Sequence, residues 1–440
     1  MNIKLTLLVI FSILLCARAD NYAVIVAGSN GFSNYRHQAD ACHAYNLLIS
    51  NGVPADNIIL MAYNDIAFNT ENPLQGELHN APSGDKPGRN FYKDCVFDYE
   101  GDDVTKDNYF AVLKGNKDAV VGGSGRVLES GPNDEVFLVY SDHGNQGFVC
   151  FPNPNNKPSS EVYLYADELL EVLQDMYQAK KYQTLAYYMS ACHSGSMFQD
   201  LPDDINVYAL TAANASQSGW GCFCPPGGDK VRSVKIDTCL SSQFPASWLY
   251  NSEFFNTNKE SLQTQYELVK TTTTSSEVQQ WGTFDFVQWP ISKFMGGKNQ
   301  DSKILGASLM QRIFSFYENM KGQIELFEGI NEHVEEQRHI ETNYVMRRYK
   351  KSPTQENYHK LQEMLAQNSK FDQIFKSFIE KHQLEQSYEG KTNFDCYKKA
   401  ILSLENQCGQ FNDYGLHFAQ YLYQYCGKYA DLQQELVFDC

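Results

Sequence analysis

Residues 184–196 read TLAYYMSACHSGS. Thr184 to Ser190 has the length and the β-branched and aromatic content of a buried strand, and the chain then turns abruptly into small and polar residues around Cys192 and His193. Four further runs are built the same way: YAVIVAG (22–28), NIILMAY (57–63), EVFLVYS (135–141) and NVYALTA (206–212). Each is apolar almost throughout, the pattern of a strand covered on both faces. Between them, His37 to Asn51 and Glu161 to Lys180 carry apolar residues at helical spacing, the second opening after Pro158-Ser159-Ser160. This alternation predicts an α/β fold, a mostly parallel sheet with helices on both faces. In such sheets chemistry gathers at the carboxyl ends of the strands.

Those ends are informative. Gly28-Ser29-Asn30-Gly31, Ser141-Asp142-His143-Gly144, Ser190-Ala191-Cys192-His193 and Thr211-Ala212-Ala213-Asn214 follow four of the five runs. A thiol nucleophile needs a base within reach, a group that orients the base, and donors for the developing oxyanion. Cys192 and His143 come from two different strands, so one sheet edge can bring them together. Gly144 leaves backbone N–H groups open to an incoming carbonyl, and with the N–H of Cys192 would form an oxyanion hole. His193 is a rival base, but neighbours on an extended chain point to opposite faces, which leaves the role to His143. Taken singly, Cys192 also reads as a small buried hydrophobe and His143 as a pocket-lining side chain.

The rest of the chain bounds the setting. Its 440 residues are 42% hydrophobic and 13% aromatic, enough for two or three domains with real cores. The leader MNIKLTLLVIFSILLCARA (1–19) has Lys4, an apolar run from Leu5 to Leu15 and Ala17-Arg18-Ala19, the pattern of a cleaved secretory signal; no later stretch is long and apolar enough to span a membrane. A net charge of −17, from 53 acidic and 36 basic residues, argues against a nucleic-acid partner. Of twelve cysteines Cys16 would leave with the leader, so an odd number remains and at least one stays unpaired or pairs between molecules. Cys222 and Cys224 have no second pair at zinc spacing, so no metal and no cofactor is expected. Pro, paired Gly and mixed charge mark a linker at 291–305 between a domain at 20–290 and a helical one at 306–440. In the latter Leu361, Met364, Leu365, Phe371, Ile374, Phe375, Phe378 and Ile379 recur at helical spacing, and Cys396, Cys408, Cys426 and Cys440 read as a two-bridge module.

VIVAGSNGFSNYRHQADACHAY (24–45), EGDDVT (100–105), SGPNDEVFLVYSDHGNQG (130–147), ACHSGSMFQDLPDDINVYALTAAN (191–214) and the four-cysteine helical end together resemble the legumain family of cysteine peptidases, also called asparaginyl endopeptidases or vacuolar processing enzymes, of the caspase-like clan. The resemblance implies a lysosomal, vacuolar or secreted zymogen that cleaves protein and peptide substrates after asparagine, and sometimes aspartate. It implies Cys192 as nucleophile, His143 as general base and acid, Asn34 as the support of the histidine, and Gly144 as an oxyanion donor. Arg36 and His37, in the NYRH segment, would line the pocket for the substrate's asparagine, and Asp142 matches an aspartate linked to ligase activity. The module at 306–440 would be an inhibitory prodomain bridged Cys396–Cys426 and Cys408–Cys440, with activation cleavage in the linker at Asn299, or at Asp301. Where the family usually carries two pocket acids this chain has Ser190 and Ser242, so Arg36 is less neutralised and cleavage after aspartate is expected to be easier. His193 is expected either to lower the thiol pKa as a nearby imidazolium or merely to line the pocket edge. A peptide ligase using the same acyl-enzyme, and a catalytically silent peptidase-binding protein, are the alternatives.

Overall fold

The computed structural model describes residues 19–83, 87–297, 321, 324–385, 387–429 and 436–440. The leader up to residue 18, and Asn299 and Asp301, lie outside the described residues. The strands are β1 Asn21–Ala27, β2 Ile58–Ala62, β3 Glu135–Ser141, β4 Gly144–Asn145, β5 Phe148–Cys150, β6 Tyr163–Tyr165, β7 Thr184–Ser190, β8 Val207–Thr211, β9 Trp220–Cys222, β10 Lys230–Val231, β11 Val234–Lys235, β12 Ser241–Ser242, β13 Gln279–Gly282 and β14 Glu335–Glu336.

The five expected strands make up five of the six strands of a sheet in the order β13-β8-β7-β3-β1-β2. All are parallel except β13, an antiparallel edge strand on β8 that the apolar runs did not reveal. The continuous hydrophobicity of the runs has a direct cause. In β1, Ala23, Ile25 and Ala27 pack into one core while Val24 and Val26 pack into another; in β7, Ala186 and Tyr188 divide from Leu185, Tyr187 and Met189 in the same way. Helices α1 (Tyr35–Ser50), α5 (Gln243–Phe254) and α6 (Leu262–Thr272) cover the first face, and α2 (Lys106–Lys114) and α4 (Ala166–Gln178) the second.

The expected helix from Glu161 to Lys180 is interrupted. A single turn, α3 (Ser159–Val162), gives way to β6, and α4 begins only at Ala166. Tyr163, Leu164 and Tyr165 complete a small antiparallel sheet with β5 and β4 directly after His143. The β-favouring pair Tyr163 and Tyr165 finds an edge to pair with, which outweighs helical spacing.

The register of the main sheet sets up the site. Ser141 of β3 lies opposite Ser190 of β7, and the Asp142 N–H donates to the Ser190 carbonyl at 3.0 Å. His143 and Cys192 each stand two residues beyond those paired serines, so parallel pairing delivers them side by side.

After α7 (Ser292–Met295), the C-terminal part contributes α8 (Gln337–Lys351), α9 (Gln355–His382), α10 (Phe394–Cys408) and α11 (Ala419–Lys428). Phe371, Phe375, Tyr397, Ile401, Leu422 and Tyr423 share one apolar cluster with Phe148, Tyr163 and Tyr165 of the small sheet, so the helices pack on the region just beyond the general-base candidate. Disulfides join Cys42–Cys95, Cys224–Cys239, Cys396–Cys426 and Cys408–Cys440, leaving Cys150, Cys192 and Cys222 as buried thiols. Among the described residues no helix is long and apolar enough to cross a membrane.

Candidate active site

Directly after Cys192 the chain reverses: His193 takes left-handed backbone angles (φ 55°, ψ 22°) and Ser194–Met197 forms a short 3-10 turn. The turn is fastened by the His193 N–H to Gln217 O (2.7 Å) and the Gly195 N–H to Ala213 O (3.0 Å). A side chain at 195 would come within 2.9 Å of the Ala215 nitrogen, which explains the glycine there. Cys192 is thereby held at the tip of β7, 8% exposed.

Its Sγ accepts the Gly219 N–H at 3.1 Å, and the thiol donates to Gln337 Oε1 at 3.4 Å. Burial pushes the thiol up to about 11, only partly offset by the Gly219 N–H, so in this arrangement it is held protonated. His143 and Cys192 line one narrow cavity with Gly144, Ser218, Arg338, Asp413, Leu416 and His417. Its free volume, ≈ 10 Å³, is barely room for one water.

His143 Nε2 lies 2.8 Å from Asn34 Oδ1 and 3.2 Å from Asp413 Oδ2. Asn34, at the start of α1, is itself held by its Nδ2–H to Asn30 O (3.1 Å) and by Arg36 Nη1–H to its Oδ1 (3.3 Å). The amide oxygen therefore faces the imidazole.

Arg36 is wholly buried; Nη1 reaches Ser33 O and Asn34 Oδ1, whereas Nε and Nη2 have no hydrogen-bond partner among the described residues. Burial lowers its pKa, against the opposing pull of Asp413, Asp40 and Asp142. One turn further along α1, Asp40 accepts from Ser241 Oγ (2.6 Å), Asn80 Nδ2 (2.8 Å), Ser141 Oγ and the Ser242 N–H (each 3.2 Å), so its oxygens are already engaged. Ser190 and Ser242 are buried, and the Ser242 hydroxyl lies against Asp40. His37 Nδ1 sits 2.7 Å from Ser29 Oγ and 3.4 Å from Asp142 Oδ1, with its ring edge-on to His143 at 5.1 Å.

His193 turns Nδ1 to Ala215 O at 3.1 Å, and burial pushes it down to about 4. It is neutral above that pH, so it supplies no imidazolium to the thiol and instead lines the cavity edge.

Sequence reasoning missed three groups: Gly219, Gln337 and Asp413. The last two reach the site from positions 145 and 270 residues away from Cys192 and His143. Their segments carry no motif, and no local pattern marks them. Glu335 and Glu336 run antiparallel to β9, opposite Gly221 and Trp220, and the Gln337 N–H continues the ladder to Gly219 O at 3.1 Å. This extended piece passes across the thiol.

A thiol and an imidazole delivered by adjacent parallel strands, with an amide behind the imidazole, define a nucleophilic thiol site. The peptidase C13 family model matches residues 21–297. Legumain of Rattus norvegicus is 36% identical over 423 residues, covering 92% of this chain and 87% of its own length; the vacuolar-processing enzyme delta-isozyme of Arabidopsis thaliana is 34% identical over 441 residues, covering 95% and 89%. A vacuolar-processing enzyme of Citrus sinensis is 44% identical over 281 residues, 62% of this chain, and the match spans 54% of that enzyme. Among solved structures, caspase-1 from Spodoptera frugiperda aligns over 64% of this chain and 93% of its own, with 7% identity and a TM-score of 0.37. The chain belongs to the peptidase C13 family and is a cysteine-type endopeptidase.

Proposed function

We propose that the chain is an endopeptidase acting after asparagine, and after aspartate, made as a zymogen whose C-terminal part covers its own site. His143 takes the proton of Cys192, and the thiolate attacks the carbonyl carbon of the scissile bond. The carbonyl oxygen becomes an oxyanion received by the N–H groups of Gly144 and Cys192. The C–N bond then breaks, the amine leaving with the proton from His143, and water deprotonated by the same histidine hydrolyses the thioester. Asn34 keeps the imidazole in the orientation and tautomer this needs. The single observation that carries the reading is the shared register of β3 and β7, which sets His143 and Cys192 on one cavity.

Arg36 with Ser190 and Ser242 would receive the substrate side chain. The Arg36 donors without a partner among the described residues, with the oxygens of Asp40 engaged elsewhere, support acceptance of a carboxylate alongside a carboxamide. The domains are read as 20–290 for the peptidase and 306–440 for the inhibitory part, joined by the linker in which cleavage at Asn299 would release it. The strand pairing at Glu335–Glu336, the Gln337 contact with the thiol and the Asp413 contact with His143 support inhibition by direct occupation. Four disulfides support a lumen of the secretory pathway, a vacuole or a lysosome, as the place of action. An amine replacing water at the thioester would make the same site a peptide ligase; Asp142, buried beside His143, supports that second activity.

The test is incubation of the purified full chain at acid pH, following its mass and its cleavage of Asn- and Asp-containing peptides, beside the Cys192→Ala variant. Both processing and peptide cleavage should vanish in the variant. Peptide cleavage that survives it would overturn the assignment.

A further inference from the structure

Beneath the catalytic imidazole lies a group of side chains that peptide hydrolysis does not use together. His37, Asp142 and His143 each offer one ligand atom, and the three atoms lie within 4.8 Å of one another. All three residues are buried, His37 at 0%, Asp142 at 1% and His143 at 5% exposure. Both carboxylate oxygens of Asp142 lack a hydrogen-bond partner among the described residues, and the His37 nitrogen that faces them, Nδ1, meets Ser29 Oγ at 2.7 Å. A buried carboxyl whose oxygens find no hydrogen bond is costly, and native interiors rarely leave one so.

We propose that His37, Asp142 and His143 form a binding site for a borderline divalent cation of the zinc type, which holds the general base and arrests the enzyme reversibly. Two imidazoles and one carboxylate suit Zn²⁺, Co²⁺ or Ni²⁺, whereas Ca²⁺ and Mg²⁺ require oxygen ligands. Ligands about 2.1 Å from a tetrahedral centre stand about 3.4 Å apart. His37 Nδ1 and Asp142 Oδ1 are 3.4 Å apart. The remaining coordination positions have room, because Asp142 and His143 also line a cavity of ≈ 300 Å³ together with Ser29, Asn34 and Asn153. That cavity admits the ion with its waters. A lone pair of His143 given to the metal is withdrawn from the proton transfer that activates Cys192. Binding itself does not depend on the peptidase reading; only its consequence does.

Binding is therefore measured without activity. The full chain carrying Cys192→Ala, which removes the competing thiol, is stripped with a chelator and titrated with Zn²⁺ by calorimetry, and with Co²⁺ by visible absorption. One equivalent should bind, with a Co²⁺ spectrum of nitrogen and oxygen ligation. His37→Gln and Asp142→Asn should each weaken binding by more than the ~10–100-fold that loss of an outer partner costs, while His359→Gln, at an exposed histidine of α9, should leave it unchanged. The Co²⁺ spectrum of the chain with His37 and Asp142 intact supplies a readout that does not depend on the variants folding. No binding up to on the order of 100 µM, equal affinity in His37→Gln, or a sulfur-to-cobalt band that needs Cys192 would each overturn the site. Zn²⁺ inhibition of the enzyme with Cys192 in place, reversed by chelator, would follow if both the site and the peptidase reading hold.

Discussion

Replacing Asp413 with asparagine tests how the C-terminal part is held on the site. Its carboxylate stands 3.2 Å from His143 Nε2, and the two side chains are 20% and 7% exposed, so water screens the pair incompletely. Facing it are Asn34, Arg36, Asp142 and His143 from the peptidase part and Glu341 from α8. Burial raises the Asp413 pKa, but the charges of His143 and Arg36 and the Asn34 hydrogen bond outweigh this and hold it below the ordinary carboxylate value of 3.8. Glu341 is pushed the other way, by burial first and by Asp413 second. A carboxyl depressed on docking stabilises the docked state above its free pKa, and that contribution is lost as pH falls through the lower docked value. For Glu341 the sign is reversed: docking favours its protonated form, so rising pH works against it. Truncating one member of a buried, hydrogen-bonded charge pair costs about 2–5 kcal/mol. Asparagine keeps the shape and an acceptor, so the lower end applies, about 2 kcal/mol or roughly 30-fold in the docking equilibrium. Measured as initial peptide cleavage by the unprocessed chain near neutral pH, Asp413→Asn should run roughly 30-fold faster than the native chain. The gap should close as pH falls below the ordinary carboxylate value of 3.8 and through the lower docked value, where the native carboxylate is itself protonated. An unchanged rate in a folded variant, or a gap that persists in acid, would refute the reasoning.

Three further outcomes are expected. On the proposed substrate pocket of Arg36 and Ser190, Ser190→Glu adds a carboxylate, so the kcat/KM ratio for Asp over Asn peptides should fall; a ratio indifferent to that change would show that Ser190 does not face the substrate. Asn34→Ala removes the acceptor 2.8 Å from His143 Nε2 and should lower kcat on the order of 100-fold with little change in KM; an equal rise in KM would instead point to a binding role. Phe375, wholly buried and stacked on Phe418 with ring centroids 4.8 Å apart, should cost about 3–5 kcal/mol as Phe375→Ala, read as a lower Tm of the full chain and earlier release of its C-terminal part.

How far the sequence could be read follows from how local each signal is. Strands β1, β3 and β7 are unmistakable because both faces are buried, so apolar residues run unbroken. The edge strand β13, QQWG, lies half-buried on one side of the sheet and carries no such run. The Glu161–Lys180 stretch satisfied helical spacing, yet Tyr163–Tyr165 went to the small sheet because β5 offered an open edge three residues wide. Cys192 and His143 were legible as strand-end residues, and Asn34 only through the family resemblance of the segment that holds it. Their partners Gln337 and Asp413 were not, because their position depends on packing between parts far apart in the chain. His193 is adjacent to Cys192 in sequence, but one left-handed residue turns its ring onto Ala215 O.

By itself the amino-acid order determined that parallel strands would bring a cysteine and a histidine to one edge, since buried strand pairing fixes register and register fixes which side chains are neighbours. Tertiary structure alone decided that the thiol is covered, neutral and hydrogen-bonded to a glutamine from the far end of the chain. Those properties arise from desolvation and long-range contact, and neither is a property of any local stretch of residues.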